Sequence, residues 1–256
     1  MPPQRTTGPS PEQFITLCEL IEDSVGDWHP ITGRRRAPSL NTAVKATVRY
    51  PKNNPTQEVI AELLEVSQPT ISRVLPELEV IIADVLDEFV PDLAEEVAGR
   101  VAIVEGSLCP CWSRAEAREL YSGKATTTGH AHRFVCDLTG GLMHISDPVP
   151  GKTHDAKAVT DTGPIEILDT GNTIADKGYL GTRVITPFRK PAGGELLDWQ
   201  KEFNAAINKM RYVIERVIAN FKTWRCMHTD YRRPRRTYPT TFRAVRALHF
   251  FKLRSE

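Results

Sequence analysis

The stretch TIADKGYLG, Thr173 to Gly181, sets an aspartate at the end of a short apolar run and follows it with a glycine turn and a tyrosine. A short apolar run bounded by turn residues reads as a buried strand, which puts Asp176 at a strand's C-terminal end. Working outward, the same pattern recurs from Gly99 onward. RVAIVEG (Arg100 to Gly106) is a buried strand ending in Glu105, with glycine just after. HRFVCDL (His132 to Leu138) and LMHISDP (Leu142 to Pro148) flank the Gly140-Gly141 turn as a hairpin. NTIADKGY (Asn172 to Tyr179) makes a fourth strand and RVITPF (Arg183 to Phe188) a fifth, with helices over the remainder. Three antiparallel strands followed by strand, helix and strand predict a mixed five-stranded sheet with flanking helices, an α+β layer architecture.

A third acid comes from the helical stretch QKEFNAAINKMRYVIERVIANFKTW. Phe203, Ile207, Met210, Ile214, Val217, Phe221 and Trp224 recur there at spacings of four and three, a core stripe. At about 100° per residue, Asn208, Arg211, Glu215 and Lys222 share an arc of roughly 60° beside it. Glu105, Asp176 and Glu215 are therefore expected to converge. Three carboxylates repel one another unless a hard cation neutralises them, and oxygen-only donors favour Mg²⁺ or Mn²⁺. Two such ions would stabilise the attacking and leaving oxygens of an in-line phosphoryl transfer. Arg211 and Lys222 read either as holders of a phosphate backbone or as helix-stabilising partners, Arg211 and Glu215 being an i, i+4 pair. Asp155, after His154, reads either as an accessory metal ligand or as a helix cap.

The N-terminal part is helical in pattern. Pro11 to Ser24 and Leu40 to Tyr50 are amphipathic helices, separated by the loop-like DWHPITGRRRAPS. NNPTQEVIAELLEVSQPTISRVLPELEVII starts a helix at Thr56 as N-cap, turns at Val66-Ser67 and restarts at Gln68. Two short helices and a tight turn predict a helix-turn-helix whose second member, Gln68 to Leu75, enters a major groove. Ser67, Gln68, Thr70, Ser72 and Arg73 supply groups that read phosphates and base edges; the rival reading is an ordinary helical hairpin. Val80 to Val97 is expected to be a long connecting helix, dividing a helical domain (1–96) from an α+β domain (97–256).

The net charge of +1 conceals an asymmetry: residues 57–100 hold 2 basic and 11 acidic side chains, and residues 201–256 hold 14 and 4. A block of that sign reads either as a surface facing a polyanion such as double-stranded DNA or as a solvated basic tail. Within it, YRRPRRTY (Tyr231 to Tyr238) interleaves aromatics with Arg232, Arg233, Arg235 and Arg236, to grip DNA or stack on an unpaired base, or else as a solvated loop.

These residues carry a resemblance. The chain resembles bacterial insertion-sequence transposases of the DDE superfamily, in the branch shared with Harbinger-type elements. VEGS at Val104 to Ser107 is similar to the family's Asp-Gly-Thr strand end; Asp176, Gly178 and Tyr179 match Asp-x-Gly-Tyr; Arg211, Glu215 and Lys222 match its third motif. YSGK (Tyr121 to Lys124) and PGKTHD (Pro150 to Asp155) also look like this branch. The resemblance implies an RNase H-like catalytic domain, divalent metal, and cutting and joining of DNA at terminal inverted repeats by a dimer or larger assembly. Two positions depart from the pattern: Glu105 stands where the family has aspartate, and Asn208 where it has tyrosine.

Other classes are excluded by composition. Five cysteines in no C-x-x-C spacing indicate neither a disulfide framework nor a zinc site. The sequence has no membrane-length apolar run and no secretory pattern at its start, so the expected location is the cytoplasm.

Overall fold

A computed structural model describes residues 8–29, 35–112, 117–154, 157 and 164–254. The described residues form two compact units, one from Met1–Val90 with Lys222–Glu256 and one from Pro91–Phe221.

In the first unit, local capping fixes where helices begin. α1 (Pro11–Val25) opens on a capping box in which the Ser10 hydroxyl accepts the Gln13 N–H and the Gln13 side chain accepts the Ser10 N–H. α2 (Leu40–Asn53) is capped by Ser39 and closed by Asn54 in the left-handed conformation. α3 (Gln57–Leu63) begins at Thr56, whose hydroxyl accepts the Val59 N–H, as the sequence predicts. α4 (Gln68–Val85) runs ten residues past the expected Leu75. It passes through Pro76, whose lost hydrogen bond is offset because Ile71, Val74, Leu75, Leu78 and Ile82 keep one buried face across it.

The expected helix over Val80 to Val97 is broken. After α4 comes a 3₁₀ turn at Asp87–Phe89; Val90 is extended before Pro91, as a residue preceding proline prefers. Asp92 then caps a new short helix, α5 (Leu93–Val97), in the second unit.

The second unit carries a mixed sheet. Its strands are β1 (Ala102–Pro110), β2 (Tyr121–Ser122), β3 (Thr127–Asp137), β4 (Leu142–Ile145), β5 (Val149–Pro150) and β6 (Thr173–Ala175). β1 is central, antiparallel to β3 and parallel to β6. β2, β4 and β5 pair with β3. The β3–β4 hairpin closes where predicted, with Gly140 at φ 94 and the Asp137 carboxylate accepting the Thr139 and Gly141 N–H groups. The sheet has six strands among the described residues instead of five. β2 and β5 are two-residue additions, and the expected fifth strand is a single parallel bridge, Ile174 to Ile185. Gly151, in PGKTHD, is required by space, since a Cβ there would lie 2.4 Å from the Leu120 carbonyl oxygen.

The helices α6 (Pro164–Ile167) and α7 (Asp198–Phe221) complete this unit. One sheet face, with Ala102, Val104, Val135 and Ala175, packs against Leu93 and Val97 of α5, Met143, Leu168, Tyr179 and Val184. On the other, Phe134 meets Phe221 of α7 edge-on at 5.3 Å. The buried stripe of α7 is Ile207, Val213, Ile214, Val217, Ile218 and Phe221. Met210 is 37% exposed and Trp224 lies beyond the helix, because the buried face of a straight helix drifts away from a fixed four-three repeat. Asn204 sits at the buried end of α7 and holds both backbone groups of Phe188.

The chain then returns to the helical unit. α8 (Tyr238–Arg254) buries Phe242, Val245, Leu248, Phe250 and Phe251 and packs on α4. The α+β unit therefore ends at Phe221, short of the expected residue 256. Within the segment after it, α8 is buried over most of its length and completes the helical core instead.

Candidate active site

Glu105 is not the last residue of its strand, contrary to the sequence reading. β1 continues to Pro110, and Glu105 sits opposite Phe134 of β3. What ends there is the parallel pairing, whose last partners are Val104 and Ala175. The next residues on the two strands are Glu105 and Asp176. Registered neighbours in a parallel pair point to the same face, so the register brings the two acids to adjacent positions. Asp176 also builds the turn that follows: its carboxylate accepts the Gly178 N–H at 2.7 Å, and a 3₁₀ turn over Lys177–Tyr179 carries Tyr179 into the core.

α7 supplies the other residues. Arg211 forms a short ion pair with Glu105, not the i, i+4 pair with Glu215; their side chains are 17% and 10% exposed. The buried Arg211 Nε has no hydrogen-bond partner. Glu215 is exposed on the same helix, as is Asn208. Burial pushes the Glu105 carboxyl above its usual range; Arg211 pulls it back, and the charges of Asp176 and Glu215 push it up further. Asp176 and Glu215 thus both lie near enough to act on Glu105 electrostatically. Lys222 lies one residue past α7, in the helical unit. Asp155 lies outside the described residues; His154 is exposed.

Lys124, within YSGK, stands at the site although the sequence does not mark it as a site residue. Lys124 follows β2, and its Nζ stands 3.9 Å from the Asp176 carboxylate, 74% exposed. Nothing in the local pattern of YSGK reveals this pairing, which depends on where the turn after β2 and the turn after β6 are carried by a sheet that sets β3 and β1 between those strands.

Among the described residues, no group of three His, Cys, Asp or Glu side chains stands close enough to hold a metal ion. The expected three-carboxylate cage is not preformed, and the Glu105 carboxylate is engaged by Arg211. The donor set itself fits a hard divalent cation: oxygen donors only, with the buried one made costly to ionise by burial and by two neighbouring acids.

The predicted DNA-contacting residues divide. Ser67, Ser72 and Arg73 are exposed at the start of α4. The Ser67 hydroxyl lies 2.8 Å from that of Thr70, and Gln68 donates to Gln57 of α3 at 2.7 Å. In the basic block, Arg232 and Arg236 are exposed and Arg235 is half-buried. Arg233 is buried, donating to Glu79 and Thr241, with its guanidinium 5.4 Å from the centre of the Tyr50 ring. Tyr231 and Tyr238 are buried too, so neither ring is free to stack on a base. The acidic stretch absorbs other cations of this unit: Arg36 grips Glu77 through two hydrogen bonds, and Arg243 reaches Asp84 at 3.2 Å.

Residues 105–249 match the family model of the DDE superfamily endonuclease, more than half of the chain and beginning at Glu105 itself. The chain belongs to the DDE endonuclease superfamily. It is 28% identical over 228 residues to the "Putative transposase for insertion sequence element IS112" of Streptomyces albus G, covering 86% of this chain and 83% of that one. It is also 30% identical over 108 residues to the "Probable transposase for insertion sequence element IS702" of Microchaete diplosiphon, covering 40% and 39%. No solved structure matches the chain. DDE superfamily endonucleases generally use divalent metal ions. Among the described residues, no helix of this DDE-family chain is long and apolar enough to cross a membrane.

Proposed function

We propose that this chain is a transposase that cuts and joins DNA at the terminal inverted repeats of an insertion sequence, through an RNase H-like catalytic unit and a helix-turn-helix. The observation that carries this reading is the parallel register ending at Val104 and Ala175, which sets Glu105 beside Asp176, under a helix that carries Glu215 and Arg211. The strand order supports an RNase H-like sheet, with β1 between an antiparallel β3 and a parallel β6. The similarity to two insertion-sequence transposases supports the substrate.

In this reading Glu105, Asp176 and Glu215 hold divalent cations, Mg²⁺ or Mn²⁺, with Asp155 as an accessory ligand. Two bound ions supply Lewis-acid stabilisation of the attacking and leaving oxygens in phosphodiester cleavage and strand transfer. The chain's own residues position the DNA. Arg211, beside Glu105, and Lys124, beside Asp176, present positive charge where a phosphate backbone meets the acids. Ser67, Gln68, Thr70, Ser72 and Arg73 at the start of α4 face the duplex; Lys222, Arg232, Arg235 and Arg236 add backbone contacts. Two copies act together on the paired element ends.

The test is cleavage of an end-labelled duplex carrying the element end. Asp176→Ala and Glu215→Ala should each abolish strand cleavage, by at least about a hundredfold, and leave duplex affinity within about twofold. Loss of binding in parallel with cleavage would overturn the assignment.

A second reading is favoured by Glu105 standing where the family has aspartate and being held by Arg211. Here the chain binds element ends without cutting them. Cleavage in Mg²⁺ and Mn²⁺ by the native chain supports the first reading; cleavage only by Glu105→Asp supports the second.

A further inference from the structure

We propose that Arg211 is the internal counter-ion of Glu105, a positioning residue that occupies this carboxylate in the metal-free protein and must cede it before a divalent cation binds. The inference rests on reading Glu105 as a metal ligand.

Four observations converge on it. The pair is largely withdrawn from water on both sides, so each partner needs a compensating charge. Asp176 and Glu215 both act on Glu105 as like charges, so without a metal the buried acid is opposed by its own site. Arg211 is the cation the fold supplies against that repulsion, from the helix that also carries Glu215. Its buried Nε makes no hydrogen bond, so the guanidinium is only partly satisfied in this arrangement. The pair at the other acid differs: Lys124 approaches Asp176 at 3.9 Å and is mostly exposed, an ion pair that solvent screens and that a cation displaces easily.

The glutamate shortens this contact. An aspartate on the same backbone would draw the carboxylate back by one carbon–carbon bond, about 1.5 Å, which lengthens and weakens the ion pair with Arg211. The Arg211 guanidinium holds Glu105 Oε2, an oxygen that a divalent cation at this carboxylate would also use, so occupancy by one opposes the other. The chain therefore trades metal affinity for a compensated Glu105 charge in the absence of DNA.

Mn²⁺ binding to the full chain without DNA tests this, by isothermal titration calorimetry and by thermal melting in EDTA or excess Mn²⁺. Arg211→Gln should bind Mn²⁺ about tenfold more tightly than the native chain. It should melt lower than native in EDTA and recover most of the difference in Mn²⁺. Glu105→Asp should also bind Mn²⁺ more tightly, its pair with Arg211 being longer and weaker. Should Arg211→Gln fail to fold, Arg211→Lys keeps the charge with fewer donors and should fall between the two in affinity. Unchanged or weaker Mn²⁺ binding by a folded Arg211 variant overturns the proposal. Glu105→Gln separates the two levels: if it leaves Mn²⁺ affinity intact, the metal-ligand reading fails and the counter-ion role with it. If it weakens Mn²⁺ binding while the Arg211 variants do not strengthen it, the counter-ion role alone fails.

Discussion

Arg233 and Glu79 are 5% and 1% exposed and pair through one Arg233 nitrogen and one Glu79 oxygen, both also bonded to Thr241, while Glu79 Oε2 and the other terminal nitrogen of Arg233 are buried without a partner. Burial pushes the Glu79 carboxyl up, and the Arg233 charge pulls it down. Removing one partner strands the other charge in the core, so Arg233→Ala should cost roughly 3–5 kcal/mol in urea unfolding. Arg232→Ala, at an exposed position one residue away, should change the midpoint little. Equal effects would deny the buried pair its role. His249 offers a pH test in the same unit. Burial, aided by Lys252 and Lys52, pushes its imidazole down to about 3, and Trp224 Nε1 donates to its Nδ1. The unfolded chain therefore takes up a proton, near pH 6.5, that the fold refuses. The stability that neutral His249 contributes is present above that pH and is lost as the pH falls toward about 3. Between pH 6.5 and 5 the loss is roughly 2 kcal/mol. His249→Gln should flatten that slope in urea titrations at the two pH values; an unaltered slope would place the dependence elsewhere.

At the scale of elements, starts of helices were legible and their ends were not. Ser10, Ser39 and Thr56 cap with their own hydroxyls, a contact within three residues. The extent of α4 depends on a buried face shared with other helices, which overrides Pro76. The α3–α4 turn holds a testable strain: Glu65 sits at φ 54, a conformation that costs a side-chain-bearing residue roughly 1 kcal/mol. Glu65→Gly should raise the melting temperature by a few degrees without weakening duplex binding. A lower melting temperature would mean that the Glu65 side chain contributes more than its backbone costs. In the sheet, the apolar runs located β1, β3, β4 and β6, but β2 and β5 are two residues long and exist only as additions to β3.

At the scale of the molecule, chain order and packing order differ. The helical unit is assembled from both ends of the chain, with α8 packed on α4. A fragment of residues 1–96 should therefore lose the cover of α4 and give a non-cooperative melt by circular dichroism. Joining residues 1–90 to 222–256 through a flexible linker should restore a cooperative transition. A cooperative melt of 1–96 alone would contradict this division. The basic block looked free to bind DNA because its count is large, yet Arg233 and Arg243 are spent on Glu79 and Asp84 of the acidic stretch. Charge totals locate a surplus; pairing across the fold decides how much of it faces outward.

By itself, the sequence determined that Glu105 lies on a strand, Asp176 at a strand's end and Glu215 on a helix, the hairpin at Gly140-Gly141, and the cap at Thr56. Each of these depends on neighbours within a few residues. Only the tertiary structure decided that Glu105 is held by Arg211, that Lys124 stands at Asp176, and that Arg233 is core. Those contacts join residues 106, 52 and 154 positions apart, and no local periodicity carries information across such distances; register and burial do.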